Sequence, residues 1–279
     1  MLSYITWTVD PDFFHIGSLT VRWYGLMWAL GFFLGYVIQS RIYRNEKLPE
    51  ESMEKLFLYM LVGTIVGARI GHCFFYDWSY YSQHLLKVLF IWEGGLSSHG
   101  GAFGILIALW IFHKKVVKKS YLWVLDRVVI SVAICGACIR FGNLMNHEIY
   151  GHPTDVPWAF RFITNIYEWQ NGAAPIFTTP SHPTQIYEIL YCLITFGVLM
   201  YMYWKTKASQ KEGLIFGVFL IGIFLTRFLL EFIKENQVGF EDKMALNMGQ
   251  LLSIPFFLLG FYLIFRKSAK CSAQKLKQS

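Results

Sequence analysis

Seven long apolar runs divide the chain, and a short polar or basic segment separates each run from the next. A transmembrane helix needs about 20 mostly apolar residues. The pattern therefore predicts seven spans, at about 21–42, 56–75, 97–112, 122–142, 185–204, 214–233 and 248–265. The third run is the weakest, because Gly100, Gly101 and Gly104 shorten it. We expect an all-α polytopic membrane protein, a bundle of about seven transmembrane helices that forms one membrane-embedded domain over residues 1–279.

The basic residues between the runs are distributed unequally, and Lys and Arg accumulate in cytoplasmic loops. One side of the predicted bundle carries Arg41, Arg44, Lys47, Lys55, Lys114, Lys115, Lys118, Lys119, Lys205, Lys207, Lys211, Arg266, Lys267, Lys270, Lys275 and Lys277. The other side carries only Arg22, Lys87, Arg161, Lys234 and Lys243. This asymmetry predicts an amino terminus outside and a cytoplasmic carboxyl terminus. Asp10, Pro11 and Asp12 interrupt the first residues, so no cleavable signal peptide is expected.

Composition supports a lipid environment. Of the 279 residues 55% are hydrophobic and 15% charged, and the mean hydropathy is +0.40; an ordinary soluble domain has about 25% charged residues. The net charge of +7 is dispersed among short clusters rather than gathered on one stripe, which argues against a nucleic-acid partner. The eight histidines have no ligand spacing with carboxylates or thiols, and there is no nucleotide-binding loop. No metal or cofactor is predicted.

Two of the loops predicted to lie outside the membrane have sequence features that predict structure of their own. Residues 143–182 form the longest loop, with several prolines and aromatic residues, and this loop predicts a small external head. The segment from His84 to Trp92 mixes apolar and basic residues, which predicts an amphipathic helix lying in the membrane interface.

Ionisable residues inside the spans are functional candidates, because an arginine at a helix centre costs about 2.5–3.5 kcal/mol on insertion scales. With the predicted orientation, five of them fall in the outer half: Arg69, Arg140, Glu188, Arg227 and Glu231. Asp126 and Arg127 lie at the inner end of the fourth span, where snorkelling or local pairing explains them. We expect the outer group to converge on one cavity, which implies an anionic substrate resident in the membrane.

The chemistry of individual candidates leaves alternatives open. Arg227 and Glu231 are four residues apart, so they either pair on one helix face or line a polar cavity. Arg140 is followed by Asn143 and Asn146, a set able to bind a phosphodiester or simply to anchor a helix end. His99, set among glycines at the start of the third span, is a candidate base or a structural residue.

The motifs that surround these candidates resemble those of the prolipoprotein diacylglyceryl transferase family of bacterial membrane enzymes. The most specific is Arg140-Phe-Gly-Asn-Leu-Met-Asn-His-Glu-Ile-Tyr-Gly151. The others follow in the family's order over nearly the whole chain: Val21-Arg-Trp-Tyr24-Gly, Gly67-Ala-Arg69-Ile-Gly71, Trp92-Glu-Gly-Gly-Leu-Ser-Ser-His99-Gly-Gly, His182-Pro-Thr-Gln-Ile-Tyr-Glu188, Arg227-x-x-x-Glu231 and Met248-Gly-Gln-Leu.

The resemblance implies transfer of the diacylglyceryl group of phosphatidylglycerol to the lipobox cysteine of a prolipoprotein signal peptide, in the bacterial cytoplasmic (inner) membrane. Its implied catalytic residues are Tyr24, His99, Arg140, Arg227 and Glu231. Its implied substrate-binding residues are Arg140, Asn143, Asn146, Glu148, Gly151 and Arg227. The phosphatidylglycerol headgroup is implied to bind Arg140, and His99 is implied to be the base. One departure is Ile223, where some members of the family have tyrosine.

Two other functions use the same residues. A transporter for an anionic lipid or metabolite would need the arginines without a base, although no internal repeat is found. A structural membrane protein would use the charged residues only to pair spans.

Overall fold

The computed structural model describes residues 4–17, 19–235 and 244–266, and most of them are helical. Within that part of the chain, seven helices are long and apolar enough to cross a membrane, as predicted. We label them α1 to α7: Trp23–Asn45, Glu50–Phe75, Ser98–Phe112, Tyr121–Met145, Thr184–Lys205, Leu214–Ile233 and Met248–Phe265. A π turn, His113–Val117, extends α3, and α6 contains the π turn Ile221–Leu225 and ends in the 3-10 turn Glu231–Ile233.

Short strands correct the all-α prediction. Strand β1 (Tyr4–Thr6) pairs in parallel with β4 (Ala159–Arg161), and β2 (Asp12–Ile16) forms an antiparallel hairpin with β3 (Leu19–Arg22). The hairpin contains residues 21 and 22, so α1 begins at Trp23 and not at residue 21. Strands of three to five residues carry no hydropathy pattern long enough to be recognised in a sequence.

The predicted topology signal lies partly outside the described residues. Lys243 falls there, as does the carboxyl-terminal cluster apart from Arg266, namely Lys267, Lys270, Lys275 and Lys277. The orientation of the termini stays a prediction at this point. The described residues group into two compact units, 38–127 and the remainder of the chain, with both boundaries inside helices. That the whole chain is one domain also stays a prediction.

In the unit formed by residues 38–127, α2 and α3 pack through small residues. A Cβ added to Gly104 would lie 2.8 Å from the Cα of Gly67 and would meet the carbonyl oxygen of Gly63. A Cβ added to Gly71 would lie 2.6 Å from the Cα of Gly100. In both cases the contact is with backbone atoms of the other helix. Helices in a membrane associate through such close packing, because lipid tails solvate apolar side chains as well as another helix does. The glycines that weaken the third apolar run therefore form its packing surface.

Arg69 is buried in this unit, where its guanidinium is bound by backbone carbonyls. Its guanidinium donates to the carbonyl oxygens of Val88 (2.9 Å) and Lys87 (2.6 Å), and Nη1 also contacts Gly94 and Gly95. Four backbone carbonyls thus take the donors that we expected to point into a substrate cavity. Arg69 fixes the segment that leads into α3, including the turn in which Gly94 and Gly95 adopt positive φ.

Two other predictions for this unit can be compared with the structure. Residues 84–92 form the 3-10 turns Leu85–Leu89 and Ile91–Glu93 rather than a single amphipathic helix, although large apolar side chains there are exposed.

Arg127 is 3% exposed and pairs with Glu46 (Nη2 to Oε1, 2.7 Å) and with Asp126 (4.0 Å). Local pairing is therefore the correct explanation for Asp126 and Arg127, and snorkelling is not.

In the other unit, the segment between α4 and α5 packs with the amino-terminal strand. Leu144, Phe160 and Phe162 form a buried cluster, and Trp7 packs against it while its indole Nε1 donates to the Leu144 carbonyl (3.0 Å). The pairing of β1 with β4 places residues before α1 and after α4 side by side. An even number of crossings, α1 to α4, separates them, which agrees with the predicted alternation.

His147 joins this segment to the amino terminus. Its Nδ1 accepts from the Ile163 amide (3.1 Å), so Nε2 carries the proton and donates to the Val9 carbonyl (2.8 Å). Burial lowers the pKa of His147 below its ordinary value of about 6.5. A second proton has no place on Nδ1, which already faces a donor.

We expect the stability of this unit to decrease as the pH is lowered, because of His147. Its folded pKa is lowered, so the full stabilisation is present above about pH 6.5 and is lost as pH falls through the folded pKa. Thermal unfolding followed by tryptophan fluorescence from pH 7.5 to 5 measures the effect. His147→Gln should be less stable at pH 7.5 and should lose less stability on acidification than the unsubstituted protein. Replacing the exposed His15 by glutamine is the matched control; equal pH slopes for all three proteins would contradict the prediction.

Candidate anion site at the ends of four helices

Arg140 lies in the last turns of α4 and reaches the first turns of α5. Its Nε is 2.7 Å from Oε2 of Glu188, whose side chain is 1% exposed, whereas the Arg140 side chain is 22% exposed. A carboxylate this deeply buried requires a cation. The ion pair therefore fixes one edge of the guanidinium and leaves the side chain partly accessible.

The motif from Arg140 to Gly151, called the signature from here on, contains a chain of hydrogen bonds. Nη1 of Arg140 donates to Oδ1 of Asn143 (3.0 Å), and the Asn143 amide group donates to Oε1 of Glu148 (2.8 Å). Asn146 donates to the same oxygen (3.1 Å). A carboxylate accepts and cannot donate, so Glu148 orients the Asn143 amide with its oxygen toward Arg140. Asn143, Asn146 and Glu148 thus act on the second edge of the guanidinium.

Two glycines of the signature permit close approach. A Cβ on Gly142 would lie 2.8 Å from Cδ2 of Tyr24, so Tyr24 packs directly on the turn that carries Arg140. Gly151 pairs with Lys234 in an antiparallel bridge, and a Cβ there would meet the Ile233 carbonyl oxygen. The structure thus explains Gly151 by backbone pairing; a role in binding substrate stays a prediction.

Arg227 and Glu231 pair on α6, with Nε of Arg227 3.4 Å from Oε1 of Glu231. The Arg227 side chain is 31% exposed, so it stays partly accessible to a ligand although it pairs with Glu231. The π turn Ile221–Leu225 ends two residues before Arg227. Such turns interrupt the regular helix and are frequent at functional sites. Ile223, the position that departs from the family pattern, belongs to this turn.

The start of α7 holds Glu231 in place. Asn247 caps α7, receives a hydrogen bond from the Gln250 amide and donates to Oε2 of Glu231 (3.1 Å). A Cβ on Gly249 would lie 2.6 Å from the Glu231 carboxylate. The Met248-Gly-Gln-Leu motif therefore combines a capping box with a glycine that makes room for the carboxylate.

Lys234 connects the two arginine pairs and was missed in the sequence. We counted it among the loop charges, yet its side chain is 2% exposed, with Nζ 3.2 Å from Oε1 of Glu188 and 3.6 Å from Oε1 of Glu231. Arg227 and Glu231 share one helix face, and Lys234 comes three residues after Glu231, just past the end of α6. That spacing was the available signal.

The structure brings together most, but not all, of the predicted site residues. Tyr24, Arg140, Asn143, Asn146, Glu148, Arg227 and Glu231 belong to one unit and meet near the end of α4, the start of α5, the end of α6 and the start of α7. His99 belongs to the unit formed by residues 38–127, where it is exposed in the first turn of α3 behind the cap Ser97. Its role as a base stays a prediction.

A cavity of about 430 Å³ lies beside the signature. Asn146, Glu148, Tyr150 and Glu235 are among its lining residues, and Arg140 and Arg227 are not. The expectation of a single cavity that gathers all the outer charged residues is therefore not met by this cavity. Within the group of side chains described above, the two arginines are suited to an anion, because guanidinium groups match the geometry of phosphate oxygens.

Comparison with known proteins places the site in a family. Residues 11–266 match the family model described as prolipoprotein diacylglyceryl transferase. The chain is 48% identical over 280 residues to the phosphatidylglycerol--prolipoprotein diacylglyceryl transferase of Porphyromonas gingivalis, covering 98% of each chain. It is 41% identical to the proteins of the same name from Chloroherpeton thalassium (98% of each chain) and Bacteroides fragilis (98% of this chain and 99% of the other). The resemblance seen in the motifs is confirmed, and the chain belongs to the prolipoprotein diacylglyceryl transferase family.

Proposed function

We propose that the protein transfers the diacylglyceryl group of phosphatidylglycerol to the lipobox cysteine of a prolipoprotein, the first step of lipoprotein maturation. The observation that carries the proposal is the pair of arginines, Arg140 and Arg227, each fixed by a buried carboxylate and each still partly accessible. Such an arrangement suits a phosphodiester, which carries one negative charge and offers oxygens to guanidinium donors.

The site lies where a lipid headgroup is available. Arg140, Glu188, Lys234 and Asn247 lie at the ends of their helices, and with alternate crossings these ends share one side of the membrane. The distribution of Lys and Arg makes that side the outside of the cytoplasmic membrane. The residues between α4 and α5 then form the external head, and the exposed apolar side chains of the segment 84–92 lie in the interface.

The reaction exchanges one bond for another at a glycerol carbon. The cysteine sulfur attacks the carbon that bears the phosphate ester, a C–S thioether bond forms, and the C–O bond breaks with its electron pair leaving on glycerol phosphate. A thiol has a pKa near 8.5 and reacts as the thiolate. His99 accepts the thiol proton, and Arg140 and Arg227 stabilise the charge that grows on the leaving phosphate oxygens. Unchanged activity in His99→Gln would overturn the assignment of the base.

Mass spectrometry of a lipobox peptide tests the function directly. The purified protein is incubated with the peptide and phosphatidylglycerol, and a diacylglyceryl mass gain on the cysteine is expected, together with release of glycerol phosphate. A peptide with serine in place of the cysteine, and vesicles of phosphatidylcholine alone, are the controls. No mass gain from folded protein that still binds phosphatidylglycerol would contradict the transferase and leave a lipid-binding or transport protein.

A further inference from the structure

We propose that Lys234 is a positioning residue that keeps Arg140 and Arg227 available to an anionic lipid headgroup by neutralising the carboxylates that hold them. The inference rests on the proposed function only for the identity of the lipid. The ion pairs that carry it are independent of the transfer chemistry.

Five side chains form a continuous chain of ion pairs across three helices. Arg140 contacts Glu188, Glu188 and Glu231 both contact Lys234, and Glu231 contacts Arg227. Lys234 occupies the middle position, 3.2 Å from one carboxylate and 3.6 Å from the other. It is the most buried of the three cations, at 2% exposure against 22% for Arg140 and 31% for Arg227.

The burial of Lys234 separates its role from that of the arginines. A side chain enclosed by two carboxylates has no surface to offer a ligand, so Lys234 acts through its neighbours. The chain of ion pairs contains three cations and two carboxylates, so it carries one surplus positive charge. Glu148 does not neutralise that charge by direct contact, because the Asn143 amide lies between it and Arg140. The surplus positive charge is thus carried by the accessible ends, the two arginines.

Removing the Lys234 charge would change what the arginines can do. Glu188 and Glu231, both buried, would lose the cation between them, and each would depend on its own arginine alone. A buried carboxylate that loses one of its two cations leaves more of its charge to be balanced by the arginine that remains. The guanidinium donors would then serve the carboxylates rather than the phosphate, and affinity for an anionic headgroup would fall.

The backbone of Lys234 ties this arrangement to the signature. Lys234 pairs with Gly151, the last residue of the signature, and the His152 amide donates to the Ile233 carbonyl (2.9 Å). The side chain therefore enters the ion-pair cluster from a backbone position that is fixed on both sides. A lysine whose backbone is held in this way keeps its ammonium group at a defined place between the two carboxylates, which favours a positioning role.

Equilibrium binding of phosphatidylglycerol in phosphatidylcholine nanodiscs tests the proposal, with Lys234→Met as the variant that keeps the length of the side chain without its charge. We expect the apparent dissociation constant to rise about tenfold, the effect of one lost charge contact of about 1.4 kcal/mol. Lys234→Arg, which keeps the charge and can span two carboxylates, should bind within about threefold of the unsubstituted protein. Lys211→Met, at a half-buried lysine that donates to the Ile264 carbonyl, is the matched control and should bind normally.

The outcomes separate this proposal from the proposed function. Unchanged phosphatidylglycerol binding by Lys234→Met overturns the positioning role, whatever the transferase activity. Weakened binding by both Lys234→Met and Lys234→Arg, with lowered melting temperatures, also overturns it, because a purely structural role predicts that pattern. Tenfold weaker binding by a Lys234→Met protein of unchanged melting temperature, rescued by arginine, supports it even if the unsubstituted protein transfers nothing to the peptide.

Discussion

Replacing Arg140 by lysine is expected to lower the rate of peptide modification by at least about a hundredfold, although the charge is conserved. The loss of a single donor that stabilises developing charge costs about 10² to 10³ in rate. Arg140 uses Nε for Glu188 and Nη1 for Asn143, and among the described residues no partner of Nη2 is found. A lysine has one nitrogen, which cannot hold both partners and also reach a phosphate.

The measurement is the initial rate of diacylglyceryl addition to the lipobox peptide at saturating phosphatidylglycerol. Arg161→Lys is the control, since Arg161 lies in β4 of the same unit, belongs to none of the motifs and donates to the Thr178 carbonyl (3.2 Å). It should retain the full rate. A well-folded Arg140→Lys protein within threefold of the unsubstituted rate would show that charge alone is needed.

Replacing Gly104 by alanine is expected to destabilise the protein by about 1–3 kcal/mol, the usual cost of overpacking. The added methyl group would press on the backbone of α2 at Gly63 and Gly67, and backbone cannot rotate away as a side chain can. In lipid the two helices are held by this close packing, so separating them also removes the contacts that stabilise the pair.

Gly101, on the same helix, gives the matched control. A Cβ there would lie 3.6 Å from the Cβ of Ala68 and 3.7 Å from the Thr64 carbonyl oxygen, which is ordinary contact. Gly101→Ala should therefore melt at the same temperature as the unsubstituted protein, or slightly above it, while Gly104→Ala melts several degrees lower. Both are measured by tryptophan fluorescence in one detergent. Coincident melting curves for the two variants would rule out the packing explanation.

The hydropathy pattern predicts the seven spans because span length and composition are dictated by the thickness of the hydrocarbon. It does not predict the packing of those spans. Gly100 and Gly104 lower the hydropathy of α3, so they were interpreted as a weakness, whereas the structure uses them as its contact with α2. Hydropathy measures the affinity of a segment for lipid, and helix association depends instead on how closely backbones approach.

For the ionisable residues too, the sequence predicts one part of the structure and not another. Their presence in spans singled out Arg140, Glu188, Arg227 and Glu231, which the structure joins in two ion pairs, while their role in the site stays a prediction. It also singled out Arg69, whose donors are taken by backbone carbonyls. A sequence shows that a charge needs a partner but not whether a side chain or the main chain provides it. Lys234 was missed for the opposite reason, because it follows the last residue of α6 and was counted as solvated.

The parallel pairing of β1 with β4 has a consequence for biosynthesis. Tyr4–Thr6 is made before the seven helices, yet its partner Ala159–Arg161 follows the fourth helix. The amino-terminal strand must therefore remain without this partner until α1 to α4 and the residues that follow them have been made. A fusion partner that keeps the first residues away from β4 would leave β4 without its neighbour, so the segment between α4 and α5 can be completed only after the earliest strand has found it.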